Sequence, residues 1–261
     1  MIHRTLCTAI LAAVLLSGCA APRPAVDRNT LTQVATLDAL MRGAYDGTMR
    51  LSDLRPYGDS GLGTFDKLDG EMVLLDGTFY RVPADGVVQT VALDETTPFA
   101  AVTFFERDRG LTVPAQTDYD GLRRCIDALL PTSNIFYTIR LDGTFASVTT
   151  RSVPAQTPPY RPLAEIAQTQ PVFAFTNVTG TMIGFWCPAY ASGINAAGYH
   201  LHFLTADRRG GGHVLGFETQ HVQAQIDDTP NFLMLLPRTP AFYQMDLAPR
   251  PAAPAYSHPV E

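Results

Sequence analysis

The 261-residue sequence is short of charge, of cysteine and of long apolar runs. Only 17% of its residues are charged, and 25 Asp and Glu outnumber 19 Lys and Arg. Without a basic excess there is no electrostatic footprint for nucleic acid, so no nucleic-acid partner is expected. No stretch approaches the ~18 consecutive apolar residues of a membrane-spanning helix. Four cysteines in a chain of this length do not make a disulfide framework, and none has the CxxC spacing of a zinc or redox motif. GxGxxG, a P-loop and a lysine in a Schiff-base setting are all missing, so no organic cofactor is encoded. No internal repeat is visible.

What is present is 46% hydrophobic residues, with 20 Gly and 20 Pro. That suffices for a sizeable core in one large domain or two small ones, and it suits a strand-rich protein with many turns.

The first residues read as a targeting segment. Arg4 is basic, Thr5–Leu16 is a short apolar core, and Leu16-Ser17-Gly18-Cys19 follows. This resembles the bacterial lipobox, in which cleavage falls before the Cys and its sulfur becomes a lipid thioether. Residues 1–18 are therefore expected to be a lipoprotein signal peptide and 19–30 a Pro/Ala-rich tether. The chain would be exported and held at a bacterial membrane, on the periplasmic or cell-surface side, through the N-terminal lipid anchor only. Of the other cysteines, Cys125 and Cys187 read as buried free thiols.

The body of the chain reads as a mixed, β-rich α/β fold, with two closely packed β-sheet subdomains and a few helices. Leu31, Val34, Leu37, Leu40 and Met41 predict an amphipathic helix over Thr30–Ala44. A second is expected over Asp118–Leu130, capped by Asp118 or Asp120 and stopped by Pro131, and a short third over Pro162–Gln168. Strands are expected at Glu71–Leu75, Thr78–Val82, Val87–Leu93, Ala101–Glu106 and Phe232–Pro237. Asp142-Gly143, Thr179-Gly180 and Asp207–Gly212 read as hairpin turns within Asn134–Arg151, Val172–Pro188 and Tyr199–Glu218. The proline-dense segment 154–162 suggests a boundary between an N-terminal β-rich subdomain (31–153) and a C-terminal metal-binding β subdomain (154–247). A tail follows over 248–261.

Four of six histidines fall between 200 and 221. His200 and His202, two residues apart, share one face of a strand, with Leu201 on the other. A Gly-rich turn brings His213 back beside them. Three neutral imidazoles that leave coordination positions open suit a catalytic divalent metal. On spacing alone, a solvated strand face with His213 as a turn residue accounts for the pattern equally well. His221 reads as surface, His258 as tail, and Glu218 as a carboxylate pointing away. A cupin-type site would want a Glu soon after the HxH pair, and Phe203, Leu204, Thr205 and Ala206 stand there instead.

Three blocks carry a resemblance to a known family. They are Phe185–Phe217 (FWCPAYASGINAAGYHLHFLTADRRGGGHVLGF), Gly63–Tyr80 (GTFDKLDGEMVLLDGTFY) and Thr150–Leu163 (TRSVPAQTPPYRPL). Together they resemble the bacterial alpha-acetolactate decarboxylases, in order and spacing, over about Leu31 to Leu247. The resemblance implies zinc, or another divalent metal, on His200, His202 and His213. It implies proton transfer by Glu71 and binding of the substrate carboxylate by Arg151. A C-terminal Glu reaches the metal in the family, and Glu261 is the candidate here. The implied substrate is a small 2-hydroxy-3-keto acid, 2-acetolactate, and the implied assembly is a homodimer. The lipobox is a departure, because many members lack an export signal. The competing expectations are a cupin-like metal enzyme of another reaction type and a non-catalytic lipoprotein that binds a metal or small molecule.

Overall fold

The computed structural model describes residues 27–248. The proposed signal peptide, Cys19, His258 and Glu261 lie outside the described residues. The strands are β1 (Thr30–Val34), β2 (Met49–Arg50), β3 (Ser60–Thr64), β4 (Glu71–Leu75), β5 (Thr78–Val82), β6 (Gln89–Thr90), β7 (Thr96–Thr97), β8 (Ala100–Thr103), β9 (Arg109–Val113), β10 (Phe136–Arg151), β11 (Val172–Cys187), β12 (Gly198–Thr205), β13 (Gly211–Thr229) and β14 (Asn231–Leu235). The α-helices are short: α1 (Leu37–Met41), α2 (Leu51–Leu54), α3 (Tyr119–Asp127), α4 (Leu163–Ile166) and α5 (Pro240–Tyr243).

Two main sheets organise these strands. A seven-stranded sheet runs β14-β1-β8-β3-β4-β5-β6, and a five-stranded sheet runs β10-β11-β12-β13-β9. Because β10 also pairs with β13, the second sheet curls back on itself. The β-rich architecture with few helices is as expected. The sheets do not divide the chain at 153/154: β9 and β10 join the second sheet from before that point, and β14 returns to the first from after it.

Alternation along each strand sets the layers. On β4, Met72 and Leu74 join Leu51, Leu54 and Phe79 in a core on the outer face of the first sheet. Val73 and Leu75 point the other way, onto Ile183 of β11 and Leu204 of β12. The second sheet turns Leu201 and Phe203 inward with Ile139, Phe145 and Phe217, where Leu122 and Ile126 of α3 complete the packing. Each fully buried side chain of this kind stabilises the fold by about 1.5–3 kcal/mol. Asp118 caps α3, its carboxylate accepting from Gly121 N at 2.7 Å.

The helix expected over Thr30–Ala44 is half strand. Thr30–Val34 is the interior strand β1, buried throughout and hydrogen-bonded to β14 on one side and β8 on the other. Two-sided burial needs apolar residues on both faces, which a three-residue leucine spacing imitates. The helix begins only at Leu37, where the Thr36 hydroxyl accepts from Ala39 N. Of Val87–Leu93 only Gln89–Thr90 pairs as strand, and the strand expected at Ala101–Glu106 is Ala100–Thr103.

Two expected hairpins are absent, because β10 and β11 each run sixteen residues without a turn. Gly143 and Gly180 face each other across that pair. A Cβ on Gly143 would stand 2.0 Å from the His221 carbonyl oxygen, and one on Gly180 would stand 2.5 Å from that of Leu204. These glycines permit close approach of neighbouring strands rather than reversal. Asp142 is likewise used inside the sheet, accepting from Arg140, Thr181 and Gln225. The hairpin at Asp207–Gly212 is present, joining β12 to β13.

Cys125 and Cys187 are free thiols; Cys187 is buried, whereas Cys125 is only partly so. Asp227 on β13 is 1% exposed, and its Oδ1 has no hydrogen-bond partner. Burial pushes its carboxyl up to about 7, with the carboxylates of Asp108, Asp228 and Glu106 adding to the rise and a bond from Glu106 N opposing it. A carboxyl raised above its unfolded value of ~3.9 binds more protons folded than unfolded. Its contribution to stability therefore falls as pH rises from about 4 to about 7. Asp227→Asn should gain on the wild type across that window in urea unfolding. A difference between the two that does not change with pH would contradict this assignment.

Candidate active site and metal centre

The alternation that builds the core also builds a cavity between the sheets. On β12, His200 and His202 lie on the same side as Leu204, facing the first sheet, with Leu201 turned into the opposite core. Direct pairing sets His213 of β13 opposite His202, and pairing of β13 with β10 sets Arg151 opposite His213. Thr150 fastens this corner, its hydroxyl donating to the Gly211 carbonyl at 2.6 Å. From the first sheet comes Glu71, the opening residue of β4, on the same side as Val73 and Leu75. The turn before it is tied by Thr64 Oγ1 donating to the Gly70 carbonyl at 2.7 Å and by Gly70 N donating to the Val153 carbonyl.

All five side chains line one cavity of about 200 Å³. Its remaining wall is largely apolar, from Leu37, Leu40 and Met41 of α1, Leu68, Phe99 and Leu163. Leu37, Leu40 and Met41, read from the sequence as apolar positions of an amphipathic helix, thus form part of the site. Periodicity marks apolar positions but does not tell a core from an apolar cavity wall. Glu218 and His221 are exposed on β13, as expected.

The three imidazoles suit a divalent cation. One nitrogen from each lies within 4.8 Å of the others, and the rings stand 4.9–5.4 Å apart. His200 Nε2 and His213 Nδ1 approach to 3.1 Å. Two nitrogens held at ~2.0–2.1 Å on one tetrahedral ion would be separated by about 3.3 Å. His202 Nδ1 lies 2.7 Å from the Met72 carbonyl and donates to it, which fixes the tautomer and leaves Nε2 as a lone-pair donor. That Nε2 is buried without a hydrogen-bond partner. Burial, then the nearby Arg151 charge, lowers His200 to about 4. His202 and His213 are pushed well down by burial first, then by His200 and Arg151. The set is therefore neutral at physiological pH, as metal ligation requires.

The two other polar groups differ in kind. Glu71 is buried, with Oε2 3.4 Å from His202 Nε2. Burial raises its carboxyl to about 7 against the opposing effect of Arg151. Arg151 donates from Nη1 to the side-chain oxygen of Gln170 at 2.5 Å and forms no ion pair among the described residues. The cavity thus offers a ligand set with open positions, a carboxyl and a guanidinium, all lining one largely apolar pocket.

Known proteins resemble the chain over most of its length. The family model for Alpha-acetolactate decarboxylase matches residues 31–249. The Alpha-acetolactate decarboxylase of Methanosarcina mazei is 46% identical over 219 residues, covering 84% of this chain and 76% of its own. That of Bacillus subtilis is 43% identical, covering 84% and 86%. A crystal structure of the Bacillus subtilis strain 168 enzyme superposes with a TM-score of 0.82 at 42% identity, covering 84% of this chain and 94% of that one. A Staphylococcus aureus protein of unknown function, described as similar to alpha-acetolactate decarboxylase, gives 0.81 at 31% identity. Fold and relatives together define the protein as a lyase, a decarboxylase. The chain belongs to the alpha-acetolactate decarboxylase family.

Proposed function

We propose that the chain decarboxylates 2-acetolactate to acetoin and CO₂ in this cavity, with a divalent ion, zinc, held by His200, His202 and His213. The observation that carries the reading is the convergence of three neutral imidazoles, a buried carboxyl and a guanidinium without an ion-pair partner among the described residues on one 200 Å³ cavity. When bound, the ion supplies a Lewis acid for the substrate's hydroxyl and ketone oxygens.

Arg151 orients the substrate carboxylate through its planar fork. The bond from that carboxylate to C2 breaks, CO₂ departs, and its electron pair moves into the neighbouring ketone to leave an enediolate. Glu71 delivers a proton to C2 from one side, giving a single acetoin enantiomer. The apolar wall of α1 and Leu163 covers the alkyl groups and excludes water, which strengthens each of these polar contacts.

Attachment through lipid on Cys19 and pairing into a homodimer belong to the same proposal and rest on the sequence and the family resemblance. The experiment follows acetoin formation from racemic 2-acetolactate by a chain starting near Ala21, with bound metal determined before and after chelation. About one zinc per chain and chelator-sensitive acetoin are expected. Zinc without acetoin would overturn the reading in favour of a binding protein, and iron in place of zinc would favour another reaction type. With the full chain, activity should sit in the membrane fraction and leave it in Cys19→Ser.

A further inference from the structure

Apart from Arg50 on β2, which is exposed to solvent, the strand arginines outside the cavity are neutralised. Arg81 on β5 pairs with Asp69 and Glu95, Arg109 on β9 with Asp228, and Arg140 on β10 with Asp76 and Asp142. Arg151, at the end of β10, is held instead by an amide: Nη1 donates to Gln170 Oε1 at 2.5 Å. Gln170 stands just ahead of β11, where Val172 is the register partner of Arg151. A neutral acceptor fixes one arm of the fork without cancelling its charge. A carboxylate at the same place would form a bidentate ion pair and occupy the face that the cavity needs.

We infer that Gln170 is a positioning residue that keeps Arg151 aimed and uncompensated as the receptor for a substrate carboxylate. The inference rests on the proposed reaction for its substrate, but the binding of a carboxylate to Arg151 can be measured without turnover. Gln170 touches no reacting atom in this scheme and acts through Arg151 alone. Its effect should therefore depend on the charge of the ligand, whereas a merely structural role would not.

The probes are 2-hydroxy-2-methylpropanoate, which has the carboxylate and hydroxyl but no ketone and so cannot decarboxylate, and acetoin, which has no carboxylate. Binding of both to the metal-loaded enzyme is measured by calorimetry for the wild type, Gln170→Glu and Gln170→Leu, with melting temperature as a control. In Gln170→Glu we expect the carboxylate to bind at least tenfold more weakly and acetoin within twofold of the wild type, at an unchanged melting temperature. In Gln170→Leu, which loses the aim but keeps the charge, the carboxylate should weaken by a smaller factor. Equal weakening of both ligands, no change in either, or failure of the wild type to bind the carboxylate would overturn the inference. Acetoin formation by the wild type, assayed in parallel, reports on the proposed reaction separately.

Discussion

Alanine at His200, His202 or His213 is expected to leave a folded chain that holds well under one divalent ion and forms no chelator-sensitive acetoin. Each substitution removes one of three nitrogens clustered within 4.8 Å. No other His, Cys, Asp or Glu among the described residues completes such a group. Changes to the groups that merely orient metal ligands cost 10–100-fold, so loss of a ligand should exceed about 100-fold in activity. The three variants should differ in stability. His202 is 1% exposed and its Nδ1–H serves the Met72 carbonyl, so His202→Ala also opens a void and removes that hydrogen bond, a cost of about 0.5–1.5 kcal/mol from the bond alone. His200 and His213 are partly open to the cavity and should cost less. Elemental analysis beside thermal unfolding separates metal loss from misfolding. Stoichiometric zinc retained in all three variants would sink the ligand assignment.

Arg151→Lys is expected to keep the metal and lose turnover, by about 10²–10³-fold in kcat/KM, the range seen when one preorganised donor to a developing charge is removed. The charge survives but the fork does not. An ammonium on a flexible stem cannot hold Gln170 with one arm and present a second planar pair of donors to a carboxylate. Steady-state kinetics at matched metal content checks this, and near-normal turnover would refute the role given to Arg151.

Much of this was legible in the sequence, and what was not has physical causes. The HxH pair needed only strand alternation to be placed on one face, and Leu201 does turn into the opposite core. The Gly-rich hairpin to His213 was visible for the same reason. Glu71 and Arg151 had no local pattern to mark them, since each becomes distinctive only when two sheets meet, and family resemblance supplied them. Of the six residues singled out, five line one cavity, and Glu261 lies outside the described residues. The Asp142-Gly143 and Thr179-Gly180 pairs misled because glycine's small size and its turn conformations look alike in sequence. Gln170 was invisible for a further reason. Its meaning lies in being uncharged beside an arginine nineteen residues away.

The neighbour relation between β1 and β14 also fixes an order of events. Thr30 lies opposite Asn231, in parallel register, so the first strand and its outer partner are 201 residues apart in the chain. As the polypeptide is synthesised, N-terminus first, β1 can find β8 early but must wait for nearly all of the rest before its other edge is covered. Until then a bare edge with Leu31 and Val34 is open to wrong partners. The first sheet is therefore closed by the last strand to arrive, a long-range pairing of the kind that makes folding slow. Any strand borrowed from another chain in the meantime would compete directly with β14 for the same row of hydrogen bonds.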